Sequence, residues 1–159
     1  MKHLVVATLM ALTTAAWAQT TVKVEEAWIR GTVAQQKATG AFMRLTASQN
    51  ARLVEASSPV AGVTEIHEMA MDKDVMKMRR VPGVDLAAGT TTELKPGGFH
   101  VMLMDLKQPL QVGQTVPITL VFEDANKARF TQQVQARVQP LAQGAAPAAH
   151  GHGGHGHRH

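Results

Sequence analysis

Seven to nine short runs of β-forming residues, separated by Gly, Pro or Asp/Asn turns, fill this chain, and none repeats its apolar residues at helical spacing. They span Val22 to Arg30, Gly40 to Ala47, Leu53 to Ser57, Thr64 to Ala70, Val75 to Val81, Thr91 to Leu94, Phe99 to Leu106, Thr115 to Glu123 and Ala128 to Val138. Strands this short bury their apolar faces only against one another, so the pattern specifies an all-β Greek-key sandwich or barrel. With 159 residues, 45% apolar and 18% charged, the chain has material for one core. Trp28, Phe42 and Leu45 are expected to face inwards, and Leu53 to Ser57 to lie beside the second strand. Pro117 lacks a backbone donor, which places its strand at an edge or that residue at a strand start.

The two ends differ from this body. Residues 1–18 read as a signal peptide: Lys2 and His3, an apolar run from Leu4 to Leu12 that is too short to span a bilayer, and the small-x-small site Ala16-Trp17-Ala18. Cleavage after Ala18 would send a chain starting at Gln19 to the periplasm. Residues 19–139 form the folded domain, and 140–159 a tail of Ala, Gly and His that cannot supply a core. Its His150, His152, His155, His157 and His159 suit Cu(II), Ni(II) and Zn(II) with little discrimination.

Several function classes drop out. The net charge is +4, but Lys and Arg are scattered and aromatics are only 4%, so neither the basic stripe nor the stacking platform of a nucleic-acid binder is present. The densest basic spot, Lys77 with Arg79 and Arg80, reads as a solvated strand face. No phosphate-binding Gly loop, G-x-S-x-G elbow or H-E-x-x-H helix occurs, so the chain reads as a non-enzyme. The absence of cysteine excludes disulfides, thiolate zinc sites and the blue-copper thiolate site.

What remains is a concentration of imidazole and thioether. Outside both ends every histidine lies between His67 and His100, and Met69, Met71, Met76, Met78, Met102 and Met104 lie in or next to that stretch. Alternate residues of a strand share a face, so His100 projects with Met102, and His67 with Met69 and Met71. If Asp72 and Lys73 are the centre of a hairpin turn, residue 71 pairs with 74, 69 with 76, and 67 with 78. Met78 would then oppose His67, close enough for both to reach one ion. Thioether is a soft, neutral ligand matched to Cu(I), and zinc and iron prefer thiolate, imidazole or carboxylate.

The spacing H-x(10)-M-x(21)-H-x-M, over His67, Met78, His100 and Met102, resembles that of the periplasmic copper chaperones known as PCu(A)C. The words V-M-K-M-R at 75 to 79, L-K-P-G-G-F-H-V-M-L-M at 94 to 104 and L-K-Q-P-L at 106 to 110 resemble it too, and the likeness spans Val22 to Val138. It implies a cupredoxin-like fold that binds Cu(I) through His67, Met78, His100 and Met102 and passes it to a copper-receiving protein of cytochrome c oxidase assembly. Met69, Met71, Met76 and Met104 fall off the ligand positions and read as packing or supporting groups. A monomer with no membrane span after export is expected. The competing reading is a periplasmic metal buffer or copper-resistance protein that acts through its tail.

Overall fold

The structure, a computed structural model, describes residues 18–140. The leader expected over 1–18, apart from Ala18, and the tail expected over 140–159, apart from Pro140, lie outside the described residues. Ten strands follow in order: β1 (Val22–Arg30), β2 (Ala38–Ala47), β3 (Ala51–Ser57), β4 (Ala61–Asp72), β5 (Val75–Arg80), β6 (Val84–Leu86), β7 (Thr91–Leu94), β8 (Phe99–Leu106), β9 (Thr115–Asp124) and β10 (Arg129–Gln139). They run β5-β4-β8-β2-β1-β10-β9-β3-β6, with β7 also on β2. Among the described strands, only β1 and β10 pair in parallel. The sheet curls until β3 packs against β4, which makes a two-layered, cupredoxin-like sandwich.

The core fills from alternate positions. Ala41, Met43 and Leu45 of β2, Ile66 of β4, and Val101 and Leu103 of β8 meet Leu53 of β3, Ile118, Leu120 and Phe122 of β9, and Val138 of β10. Each buried Leu, Ile or Val contributes roughly 1.5–3 kcal/mol by leaving water. Because period two is strict, filling the inner face with 101 and 103 pushes His100, Met102 and Met104 to the outer face of β8.

Several expectations change. Trp28 is only half-buried, because β1 carries a bulge between Glu25 and Trp28, with Glu26 at φ 52°, that reverses the alternation. Ile29 takes the core position, and Trp28 stacks on Phe42 with ring centroids 4.5 Å apart. Phe42 is thus buried beneath Trp28 on the outer face, and Leu45 is in the core. β3 pairs with β9 and β6, not with β2, a non-local choice that no local signal records. Pro117 sits near the start of β9, which is an interior strand.

The β4–β5 hairpin corrects the expected register. His67 pairs with Arg80, Met69 with Met78, Met71 with Met76 and Asp72 with Val75. The central turn residues are Lys73 and Asp74, at φ 49° and 64°. Positive φ at both positions is the twist-matched two-residue hairpin turn, and Asp tolerates that conformation. Moving the turn by one residue shifts the pairing by two, so each side chain keeps its face and changes its partner.

Candidate metal centre

Three adjacent strands bring the outer-face donors together. On β4 and β8, Glu65 opposes Met102 and His67 opposes His100. Beyond β8, β2 sets Gly40 opposite Met102. On the other side, β5 sets Met78 opposite Met69. A cavity of about 320 Å³ opens over these strands, with Met69, Met78, His100, Met102, Phe42 and Arg30 in its wall. Gly40 has a steric role here, since a Cβ on it would come 2.8 Å from the Phe42 ring.

His100 is the best-defined donor. It is 4% exposed, and its Nδ1–H donates to the Gly98 carbonyl at 3.1 Å, which leaves Nε2 unprotonated, buried and without a hydrogen-bond partner. Burial is the main cause that lowers its pKa from the ordinary histidine value; nearby His67 and Arg30 add to this, and the Gly98 bond opposes it. The ring is therefore held neutral with a free lone pair, the state a metal requires. His100 is buried on the outer face beside Phe42, whose ring centroid lies 6.1 Å from its own.

His67 is prepared in a complementary way. Its Nε2 bonds Glu65 Oε2 at 2.7 Å, while Nδ1 is buried and unpartnered. The other Glu65 oxygen lies 3.6 Å from the Arg80 guanidinium. A carboxylate behind a histidine fixes ring and tautomer, the arrangement that commonly supports metal-bound imidazole. The His67 and His100 rings sit edge to face, 5.9 Å between centroids. Two imidazole nitrogens left without partners in one small region are unusual in a folded interior.

Of the four residues singled out from sequence, His100, Met102 and Met78 line the cavity, and His67 stands beside it against His100. Met69, read as packing, joins the cavity wall because the true register places it opposite Met78. A turn centred on Lys73 and Asp74 was the signal that would have found it. The side chains of Met71 and Met76 are exposed on the hairpin beyond the cavity, and Met104 is half-buried further along β8. Among the described residues, no group of three His, Cys, Asp or Glu could hold a metal. The thioethers of Met69, Met78 and Met102 are neutral, and Arg30 stands in the same wall.

A two-layered sandwich with a thioether and imidazole pocket on its outer face is a cupredoxin-like domain suited to soft-metal binding. Residues 22–134 match the family described as "Putative lipoprotein LpqE-like". A Leifsonia xyli protein named "Putative lipoprotein Lxx21020" is 35% identical over 106 residues, which cover 66% of this chain and 64% of that protein. The chain thus matches less than two thirds of that relative's length. Apo-DR1885 from Deinococcus radiodurans is 33% identical, with a TM-score of 0.57 over 91% of this chain and all of that one, and it has also been solved as CuI-DR1885. The copper-bound PCuAC domain from PmoF2, 23% identical with a TM-score of 0.58 over 75% of this chain and 92% of that one, shares the fold. The chain belongs to the LpqE-like, or PCuAC, family.

Proposed function

We propose that this protein is a copper chaperone, holding Cu(I) as cargo through His67, Met78, His100 and Met102 and releasing it to a copper-receiving protein of cytochrome c oxidase assembly. The observation that carries the reading is the buried, unprotonated and unpartnered Nε2 of His100 in a cavity walled by Met78 and Met102. A buried polar atom left unpaired costs about 1–3 kcal/mol, which supports a ligand at that nitrogen. Nδ1 of His67 is likewise buried without a hydrogen-bond partner. The thioethers carry no proton and tolerate an oxidising compartment, and family membership supports export to the periplasm. Among the described residues no helix is long and apolar enough to cross a membrane. The protein's task is binding and transfer, with no covalent chemistry of its own.

Under this reading the chain divides into a leader over 1–18, the copper domain over 19–139, and a tail over 140–159. In the tail, His150, His152, His155, His157 and His159 gather Cu(II), and a reductant then hands Cu(I) to the domain. Deleting residues 140–159 separates carrier from buffer. The truncated protein should retain one tight Cu(I), and loss of all copper binding would establish the tail as the working part.

A further inference from the structure

The β4–β5 hairpin runs past the end of β8: the last bond from β4 to that side is Met69 N–H to the Gly98 carbonyl, at 3.1 Å, in the turn that precedes β8. From there outwards β4 and β5 form a two-stranded projection. Its two faces differ sharply. One carries Glu68, Asp72, Lys77 and Arg79, and these are paired: Lys77 Nζ lies 2.6 Å from Asp72, and Arg79 Nε donates to Glu68 at 2.7 Å. The other carries Met69 opposite Met78 and, one step further out, Met71 opposite Met76. Met71 is 65% exposed and Met76 is 45% exposed, so the outer pair stands largely open to solvent.

We infer that Met71 and Met76 form a second, outer Cu(I) site, an entry and exit point from which the ion steps inwards past Met69 and Met78 to the cavity. Directly opposed side chains on a hairpin have Cβ atoms roughly 4.5–5.5 Å apart, a spacing from which two flexible thioethers can converge on one ion. Two sulfur donors suffice for a low-coordinate soft cation, and with no carboxylate, imidazole or thiolate on this rung, harder ions are not retained. Solvent exposure makes the pair weaker and faster to release than the cavity, as an exchange point needs to be. The next rung lies about 6.8 Å inwards along the strand, two residues at strand rise. Met69 and Met78 already line the cavity, so the thioethers are continuous from tip to centre. Four methionines in register stand on one side, and two ion pairs with the exposed Val75 on the other, so the thioethers are gathered on the face that leads to the cavity.

The inference rests on the chaperone reading but is tested apart from it. The full-length chain, labelled with ¹³C at the methionine methyls, is titrated with Ag(I) as a redox-inert substitute for Cu(I). The Met102 methyl should respond first and the Met71 and Met76 methyls together in a later, weaker phase, with an apparent affinity at least tenfold lower. Met76→Leu, close in volume and on the surface, should abolish the Met71 response and leave that of Met102 unchanged. Met102→Leu should do the reverse. If the Met102 methyl shifts and Met71 and Met76 stay silent, or if Met71 responds equally well in Met76→Leu, the outer site does not exist and the cavity reading stands. Silence from all of these methyls overturns both.

Discussion

His67 and His100 face each other across the β4–β8 ladder with rings 5.9 Å apart, each with one nitrogen tied to the protein and the other buried without a partner. Glu65 engages the first and the Gly98 carbonyl the second, and the Gly98 bond leaves the lone pair of His100 on its free Nε2. Such a pair is expensive to maintain for packing alone and natural for receiving an ion.

Met102 and Leu103 are neighbours on opposite faces of β8, and their substitutions should separate function from stability. Met102→Leu conserves volume and should cost less than ~1.5 kcal/mol in stability, while weakening Cu(I) binding by tenfold or more, measured by competition with a Cu(I) chelator. Leu103 is fully buried, and Leu103→Ala should cost ~2–5 kcal/mol by denaturant unfolding. Undiminished Cu(I) affinity in Met102→Leu would remove that thioether from the ligand set. His100→Ala is a poorer test, since it also empties a buried position.

Glu65 should act on the metal through His67. Glu65→Ala is expected to reduce Cu(I) affinity by roughly 10–100-fold, the usual range for removing a group that orients a metal-bound histidine. Arg80→Ala removes only an exposed partner of Glu65 at 3.6 Å and should change affinity little. Equal losses in both variants would point to local charge, not to ring orientation.

Acid should destabilise the metal-free domain through His100. Its folded pKa lies below the unfolded value of ~6.5, so the unfolded chain binds the proton more readily. Stability conferred by the neutral ring is fully present above ~6.5 and is lost as pH falls from there through the folded pKa. Chemical denaturation of His100→Gln beside the parent should show a smaller loss between pH 7 and 5 in the variant. An identical pH slope would take His100 out of the linkage.

The same burial separates domain from tail. An unperturbed imidazole titrates near ~6.5, so metal held by the five tail histidines should be released as pH falls below that value, whereas His100 resists protonation and thioethers cannot be protonated. At pH 5.5 with ascorbate the domain should keep its Cu(I), while the Cu(II) uptake present at pH 7.5 without reductant should vanish with the tail. Unchanged uptake after tail deletion would end the division of labour.

Gly40 should tolerate no side chain without cost to the pocket. Gly40→Ala must displace Phe42, which covers His100, and the change should appear as altered Trp28 fluorescence together with weaker Cu(I) binding. A variant with parental fluorescence and affinity would show that the ring has room to yield.

Much of this was legible locally. The limits of β1, β7 and β8 follow directly from runs of β-formers and turn residues, and strict alternation put His100 with Met102 and His67 with Met69 on shared faces. The partners were less legible. A two-residue turn at Lys73 and Asp74 needs left-handed φ at both positions, which lysine does not advertise, so the hairpin register was set two residues away and Met69 was missed. Trp28 was misplaced because a bulge at Glu26 leaves no mark in composition, and the pairing of β3 with β9 is decided by the assembled core.

The central claim is that neutral imidazole and thioether together bind a soft univalent ion on the outer face of β4, β5 and β8. The most direct test is anaerobic Cu(I) titration of the chain lacking residues 140–159, with X-ray absorption at the copper edge. One tight equivalent whose neighbours are both sulfur and nitrogen is the predicted result. Copper with no sulfur neighbour, or Zn(II) bound as tightly at the same side chains, would contradict it.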